Sequence, residues 1–219
     1  MERPQVAIIV PALNEQRSIA SVVAAVAKYG MPIVVSDGST DGTAEAAATA
    51  GAIVVRHEQN RGYDAALNSG FMRAAELGAE FAITLDADGQ HDPALISSFT
   101  RLLLSGERLV VGVRPRPARI SERVFAAYTR HVYGIRDPLC GMKGYAMGAY
   151  RDLGHFDSYR SIGTELMLHT ARAGHSVAEV EVPIAPRHGA PRLGGALRGN
   201  VRIFRALLLA LLPSRRRAA

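Results

Sequence analysis

Five short apolar runs alternate with amphipathic segments along the first half of the chain. The runs are nearly continuous, which is typical of strands buried on both faces of a parallel sheet. The segments between them are rich in alanine and have helical spacing. The pattern predicts strands at residues 6–10, 32–35, 52–55, 81–85 and 109–113, and helices at about 16–29, 41–50, 63–77 and 92–104. Because strand and helix alternate, we predict an α/β fold with a doubly wound, mostly parallel sheet and flanking helices.

The pattern becomes less regular after Val113. A basic, proline-containing loop follows, and the chain then predicts a helix at 120–133, a strand near 142–147, a helix near 163–173, a strand near 176–182 and a loop at 183–195. The last predicted element is an amphipathic helix at about 196–212. We therefore expect one domain over residues 1–195, followed at 196–219 by a basic helix and tail. A chain of 219 residues is long enough to bury about 70% of its unfolded surface in a single core.

Three polar motifs follow the first, second and fourth predicted strands, at residues 11–15, 36–43 and 86–93. The carboxyl ends of such strands meet at one edge of the sheet, where open α/β sheets bind ligands. Asp86 and Asp88 are two residues apart, so on an extended chain their carboxylates point the same way and can share one hard cation. Such an ion beside a diphosphate supports metal-assisted transfer. The second motif, taken alone, is equally well explained as a turn and helix cap.

The net charge of +6 is unevenly distributed. Residues 185–219 contain eight arginines and no acid, so the rest of the chain has 18 of the 26 basic residues and all 20 acidic ones. Such a tail suits nucleic acid, an anionic membrane surface or a phosphate-rich ligand. We expect no nucleic-acid partner, because aromatic residues are few and no base-reading motif is found. The single cysteine and the lack of a signal-like N-terminus predict a cytoplasmic protein that could lie peripherally on the inner face of the membrane.

Taken together, the motifs resemble family 2 of the inverting nucleotide-sugar glycosyltransferases, which have the GT-A fold. The likeness is closest to the dolichyl-phosphate and polyprenyl-phosphate sugar synthases, and it extends over residues 6–193. The motifs that carry it are Pro-x-x-Asn-Glu at 11–15, Asp-Gly-Ser-x-Asp-Gly-Thr at 37–43, Asn-x-Gly at 60–62 with Ala66 and Gly70, Asp-x-Asp-Gly-Gln-His-x-Pro at 86–93, Gly-x-Arg at 112–114, Asp137 with Gly-x-Lys at 141–143, and Glu-Val-Glu-Val-Pro at 179–183.

The resemblance implies roles for particular residues. Those on the donor side, holding the nucleoside or lying in the donor-binding loops, would be Pro11, Asn14, Glu15, Asp37 and Gly62. Asp86, Asp88 and Gln90 would bind Mg²⁺ or Mn²⁺ and the diphosphate, while Lys143, Arg187 and Arg192 would line the phosphate region. Cations placed where negative charge develops would stabilise the departing nucleoside diphosphate.

The chain departs from the common pattern of this family in four respects. Ser36 stands where an additional aspartate is frequent, Tyr63 and Asp64 replace a basic and a small residue, and Lys143 replaces an arginine. The chain also contains no tryptophan, so it lacks the tryptophan-containing signature of processive polysaccharide synthases. We therefore expect transfer of a single sugar.

The acceptor is left open by the sequence. Glu165 lies where the family often places an acidic residue on the acceptor side, although a helical glutamate is more often solvated or ion-paired. A hydroxyl acceptor would need a base, whereas a lipid phosphate is already an anion at neutral pH. We favour a polyprenyl phosphate, with a hydroxyl acceptor as the alternative. From other classes, a noncatalytic nucleotide-sugar binding or membrane scaffold protein and a nucleotidyltransferase stay open.

Three further features have both a functional and a structural interpretation. The C-terminal helix is too short to span a bilayer. It could lie on an anionic membrane surface, or pack its leucines on the domain or on a second subunit of a homo-oligomer. His91 adjoins the predicted metal site but more often a histidine in such a turn hydrogen-bonds locally. Cys140 is expected to be a packed thiol.

Overall fold

The computed structural model describes residues 5–115, 119–183 and 196–211, with the side chains of residues 196–198 excepted. Within these ranges the strands are β1 (Val6–Ala12), β2 (Met31–Asp37), β3 (Ile53–His57), β4 (Phe81–Thr84), β5 (Leu109–Val113), β6 (Lys143–Ala146) and β7 (Val177–Glu181). The helices are α1 (Ile19–Val26), α2 (Thr43–Thr49), α3 (Tyr63–Glu76), α4 (Ile96–Leu104), α5 (Ile120–Tyr133), α6 (Met147–Leu153), α7 (Glu165–Arg172) and α8 (Ala196–Leu211), with a 3-10 turn at Pro93–Leu95 before α4.

The seven strands form one sheet in the order β3-β2-β1-β4-β6-β5-β7. All neighbouring strands are parallel except β6, which is antiparallel to both β4 and β5. The predicted mostly parallel α/β fold is therefore confirmed. The strand predicted near 142–147 was too long, because its last residue begins α6, a short helix that follows β6 without a gap and that the sequence pattern did not reveal.

The core lies on both faces of the sheet. In β1, Ala7 and Ile9 face one apolar cluster, which α3, α5, α7 and α8 cover. Ile8 and Val10 face the other cluster, beneath α1 and α4. This alternation follows from the period of two along a strand and explains why the strand sequences are apolar at nearly every position.

Helix α8 packs beside α5 on the first of these clusters. Its buried side chains are Ile203, Ala206, Leu207 and Ala210. Near its start, the Ser121 hydroxyl of α5 donates to Asn200 Oδ1 at 2.5 Å. No helix in the described ranges is long and apolar enough to cross a membrane. The domain boundary at residue 195 stays a prediction, because it falls within 184–195, outside the described residues.

The reversed direction of β6 brings its first residue to the edge of the sheet at which β4 ends. Thr84, the last residue of β4, is opposite Lys143, the first residue of β6. The Thr84 hydroxyl donates to the Gly141 carbonyl at 2.6 Å and accepts from the Lys143 amide at 3.1 Å. Lys143 therefore lies at the same edge as the carboxyl ends of β1, β2 and β4.

Helix α3 packs closely on β1 at Gly70. A methyl group on Gly70 would collide with Ile9 Cγ2 and lie 3.4 Å from Val35 Cγ2. We expect Gly70→Ala to lower the free energy of unfolding by about 1–3 kcal/mol, even though alanine is the better helix former. Urea unfolding followed by circular dichroism measures the effect.

Gly148 in α6 provides the matched control. A methyl group there would meet only the end of the flexible Arg108 side chain, 3.0 Å from its Nη2. Gly148→Ala should be neutral or slightly stabilising. If Gly70→Ala were also neutral, the tight contact between α3 and β1 would be contradicted.

Candidate active site

The chain leaves the sheet directly after β4 and presents two carboxylates in a turn. Asp86 is partly buried against Gly141, and a Cβ on that glycine would lie 2.8 Å from Asp86 Cγ. Asp88 accepts a hydrogen bond from the Gln90 amide at 3.1 Å. The absence of a side chain at residue 141 therefore leaves the space that the Asp86 carboxylate occupies.

The electrostatics of this turn suit a cation. Burial raises the pKa of Asp86, and the neighbouring charge of Asp88 adds to the rise, although His91 and Lys143 oppose it. A divalent ion would favour the ionised carboxylate. His91 is buried, and its Nδ1 atom has no hydrogen-bond partner among the described residues. The two carboxylates therefore suit a cation, and the unpaired Nδ1 atom is an additional buried polar group in the same turn.

The protein provides only part of a coordination shell here. Among residues 5–115, 119–183 and 196–211, no group of three or more histidine, cysteine or acidic side chains is arranged to hold a metal ion. A pair of carboxylates is nevertheless the usual protein contribution to Mg²⁺ sites that are completed by water and substrate phosphates. The arrangement therefore fits an ion that binds together with a diphosphate.

Lys143 supplies a buried positive charge behind the carboxylates. Its ammonium group donates to the Cys140 carbonyl at 2.8 Å and to the Gly163 carbonyl at 3.4 Å. Burial lowers its pKa, which the acidic groups nearby partly offset. Lys143 therefore joins the β6 edge to the loop before α7.

Cys140 is buried, as expected for a packed thiol. Burial, together with the charge of Asp137, raises its pKa to about 11, so the thiol is protonated at neutral pH.

A bidentate ion pair fixes the turn that carries Cys140 and Gly141. Arg114, directly after β5, donates from Nε and Nη2 to the two carboxylate oxygens of Asp137 at 2.7 and 2.9 Å. Burial alone would raise the pKa of Asp137, but the hydrogen bonds and charge of Arg114 bring it below its ordinary value. This pair therefore positions the 137–143 segment against β4.

The loops after β1 and β2 are held together by hydrogen bonds. The Asn14 side-chain oxygen accepts from the Thr40 amide at 2.9 Å, and the Asn14 amide donates to Ser39 Oγ at 3.1 Å. The Glu15 amide donates to Thr43 Oγ1 at 2.8 Å. Asn14 has a positive φ of 53°, a conformation that asparagine tolerates better than most residues. The structure thus brings together the two motifs predicted to hold the nucleoside.

The Asp37 carboxylate contacts three residues of the loop that follows β3 and of the end of that strand. Its Oδ1 lies 2.6 Å from His57 Nδ1 and accepts from the Arg61 amide at 2.9 Å, while Oδ2 accepts from the Gly62 amide at 2.8 Å. The His57 ring is in turn 2.8 Å from Ser69 Oγ. Asp37 therefore shapes the 57–62 loop, and Gly62, with a φ of 96°, needs the freedom of glycine there.

A second acidic pair lies where α3 meets the 155–165 loop. Asp64 Oδ1 accepts from the Gly163 amide at 2.6 Å, and Asp157 accepts from the Ser161 amide at 2.9 Å. Asn68 connects α3 to the 155–165 loop, since its side-chain Nδ2 donates to the Asp157 carbonyl at 2.6 Å. Burial and the charge of Asp157 raise the pKa of Asp64 to about 6.

Glu165, at the start of α7, has both carboxylate oxygens engaged. Oε2 accepts from the Ser158 amide at 2.5 Å, and Oε1 lies 2.9 Å from both Ser158 Oγ and His155 Nε2. The side chain therefore orders the same loop in this conformation.

The structure joins Asn14 and Glu15 to the loop after β2, and it places Lys143 near Asp86. Pro11 lies in β1 opposite Val35 of β2, and Glu165 contacts the 155–165 loop. Arg187 and Arg192 lie outside the described residues, and their roles stay predictions. Sequence reasoning missed the loop-holding function of Asn68 and Asp157, for which the sequence gives no local signal. The replacement at Asp64 was noticed but not its contact with Gly163, which is 99 residues away.

Comparison with known proteins decides the family. The model of Glycosyl transferase family 2 matches residues 7–152 of the chain, which include the motifs after β1, β2 and β4. This chain belongs to glycosyl transferase family 2. An uncharacterized glycosyltransferase of Mycobacterium tuberculosis (strain H37Rv) is 33% identical over 207 residues, covering 90% of this chain and 93% of the relative.

The chain is also similar to a relative with a named activity and to a glycosyltransferase of known structure. The dolichyl-phosphate hexose transferase of Haloferax volcanii is 28% identical over 213 residues, 89% of this chain and 90% of its own. Glucosyl-3-phosphoglycerate synthase from Mycobacterium tuberculosis, crystallised with Mn²⁺, UDP and glucosyl-3-phosphoglycerate, superposes with a TM-score of 0.75 at 22% identity, covering 97% of this chain and 82% of that one. The latter likeness establishes that this family 2 glycosyltransferase has a GT-A-like fold.

The raised pKa of Asp64 predicts a pH-dependent stability. The unfolded carboxyl ionises near its ordinary value of 3.8, and the folded one near 6. The folded state therefore loses stability as the pH rises from about 4 to about 6. Asp64→Asn keeps an acceptor for the Gly163 amide, so it should match the wild type near pH 3 and be more stable at pH 7, by up to about 3 kcal/mol.

Chemical denaturation at several pH values measures this difference. Asp92→Asn is the control, since Asp92 is exposed and caps the turn before α4 by accepting from the Ala94 amide. A difference between wild type and Asp64→Asn that stayed constant with pH would contradict the prediction.

Proposed function

We propose that this glycosyltransferase is an inverting enzyme that transfers a single sugar from a nucleotide diphosphate sugar to a polyprenyl phosphate. The observation that carries the proposal is the Asp86–Asp88 carboxylate pair at the carboxyl end of β4, with buried Lys143 behind it. Transfer would occur in one displacement, in which the acceptor oxygen bonds to the anomeric carbon as the bond to the diphosphate breaks. The electron pair of that bond leaves with the diphosphate.

The donor would lie along the edge formed by the loops after β1, β2 and β4. Asn14 and Glu15 would border the nucleoside, and Asp37 would act indirectly by fixing the 57–62 loop. Hydrogen bonds between residues 14–15 and residues 39–43 support this placement, because they pre-organise the two loops. Pre-organised loops lose less entropy when a ligand binds.

Asp86 and Asp88, with Gln90 as the third predicted ligand, would hold a Mg²⁺ or Mn²⁺ ion. When bound, such an ion neutralises charge on the departing diphosphate. Lys143 would add a fixed positive potential at the same edge, as a point charge and not a planar fork. The raised pKa of Asp86 supports this arrangement, because the protein alone leaves its carboxylate undercompensated.

The hydrogen bonds made by the Glu165 carboxylate support a phosphate acceptor. Both of its oxygens are engaged by Ser158 and His155, so the structure offers no free base at this position. A lipid phosphate is already an anion at pH 7 and needs none. Relatives named dolichyl-phosphate hexose transferase and UDP-N-acetylglucosamine–dolichyl-phosphate N-acetylglucosaminyltransferase point the same way.

A hydroxyl acceptor is the second candidate. It is favoured by the structural likeness to glucosyl-3-phosphoglycerate synthase, which was crystallised with phosphoglyceric acid. On this alternative, a rotation of the Glu165 side chain away from Ser158 would provide the general base.

A panel of donors and acceptors tests the proposal. UDP-, GDP- and dTDP-sugars are incubated with the protein and Mn²⁺, with polyprenyl phosphate or a soluble hydroxyl compound, and products are analysed by mass spectrometry. We expect one sugar added to the lipid phosphate. Products only on hydroxyl compounds would favour the second candidate, and nucleotide binding without turnover would favour a noncatalytic protein.

Loss of one carboxylate should abolish metal-dependent turnover. We expect Asp88→Asn to reduce kcat by at least about a hundredfold, because charge on the diphosphate would be less well neutralised. The thermal unfolding midpoint should change little. Asp92→Asn, four residues away and exposed, serves as the matched control and should retain activity. Wild-type turnover in Asp88→Asn would remove this residue from the mechanism.

The chemistry of the acceptor predicts how much kcat falls when Glu165 is replaced by glutamine. With a polyprenyl phosphate acceptor, Glu165→Gln should lower kcat by less than about tenfold, since no proton has to be removed from the acceptor. A general base would contribute about a hundredfold or more. Steady-state rates at saturating donor distinguish these outcomes, and a loss of the larger size would support a hydroxyl acceptor.

A further inference from the structure

Helices α5 and α8 carry an apolar strip that faces solvent. Within the described residues nine large hydrophobic side chains are exposed, and six of them form this strip: Ile120 and Val124 on α5, and Val201, Phe204, Leu208 and Leu211 on α8. The spacing of three and four residues places those on α8 along one face of the helix. Ile120 is 73% exposed and Leu208 is 64% exposed. Such a concentration of exposed apolar surface is typical of an interaction site.

The two helices present the strip as one surface. They lie side by side, since Ser121 of α5 contacts Asn200 of α8 at 2.5 Å and Tyr128 contacts the Ala210 carbonyl at 3.5 Å. The opposite face of α8 is buried against the domain through Ile203 and Ala206. The strip is therefore held rigidly outward by the packing beneath it.

Arginines border the strip on both helices. Arg205 is four residues after Val201 on α8, and Arg123 is three residues after Ile120 on α5, so each adjoins an apolar member of the strip. Arg202 and Arg130 extend the two basic rows, and all four side chains are exposed.

Arg123 and Arg130 also line a basic cleft of about 800 Å³, to which Arg114, His131 and Arg136 contribute. Arg136 is paired with Glu179 and Glu181. By contrast, neither Arg123 nor Arg130 forms an ion pair within the described part of the chain. The cleft therefore offers two uncompensated guanidinium groups, a good match for phosphate oxygens.

We infer that the α5–α8 face docks onto an anionic lipid bilayer. The apolar strip would enter the boundary between headgroups and acyl chains, and the flanking arginines would contact lipid phosphates. A second copy of the chain fits this surface less well, because a twofold contact would bring the same basic rows against each other. The helices would lie on the membrane, not cross it.

Docking on this face would bring the bilayer close to the acceptor side of the site. Arg205 Nη1 donates to the Arg160 carbonyl at 3.2 Å, in the loop that Glu165 orders, and the charge of Arg202 acts on Asp64. A lipid phosphate would thus meet the loop beside the proposed acceptor position. The inference itself concerns binding alone and is tested without donor or acceptor, so its failure is separate from that of the proposed function.

Vesicle flotation of the full chain tests the inference. We expect binding to vesicles of phosphatidylcholine with phosphatidylglycerol, weakening with added salt, and little binding to phosphatidylcholine alone. Leu208→Gln should weaken binding about tenfold. Leu104→Gln, at a comparably exposed leucine on α4, is the matched control and should bind like the wild type.

The basic rows are tested in the same assay. Each of Arg123→Gln and Arg130→Gln should weaken binding to anionic vesicles about fivefold, whereas Arg101→Gln, exposed on α4, should not. All of these side chains are exposed, so thermal unfolding should show intact folds.

Three outcomes would overturn the inference. The wild type could fail to bind anionic vesicles, the α4 controls could weaken binding as much as the variants in the strip, or light scattering could reveal a dimer that Leu208→Gln dissociates. The last result would assign the surface to a second copy of the chain.

Discussion

The site depends on one electrostatic constraint, a pair of close carboxylates at the end of β4 that the protein only partly compensates. Asp86 and Asp88 repel each other, and burial disfavours the charged form of Asp86. Lys143 and His91 offset part of this cost, and no acidic or histidine cluster completes a cation site within the described residues. A divalent ion bound together with a diphosphate would compensate the remaining negative charge of the two carboxylates.

The fold produces this constraint through the reversed strand β6. Because β6 runs against its neighbours, its first residue, Lys143, reaches the same edge as the last residue of β4. The hydroxyl of Thr84 fixes that register by bonding to both the Gly141 carbonyl and the Lys143 amide. Arg114 then holds the connecting turn through Asp137, so the space beside Gly141 stays open for the Asp86 carboxylate.

The sequence predicted the parts of this structure that depend on local periodicity. The bounds of β5 and α5 were predicted to the residue. The polar motifs after β1, β2 and β4 lie at one edge of the sheet as expected, because these strands are parallel neighbours. It did not reveal the direction of β6 or the contacts of Asp64 and Asp157, because these depend on residues far apart in the chain. Thr84 and Gly141, for example, are separated by 57 positions. Such pairings leave no trace in the pattern of either segment.

An anomalous difference map from a crystal grown with Mn²⁺ and UDP would show whether a divalent ion binds between the carboxylates after β4 and the diphosphate. We expect a manganese peak within bonding distance of the Asp86 and Asp88 carboxylates and of the UDP diphosphate. A map with UDP bound but without a manganese peak at these carboxylates, or with the two side chains directed away from the nucleotide, would contradict this expectation.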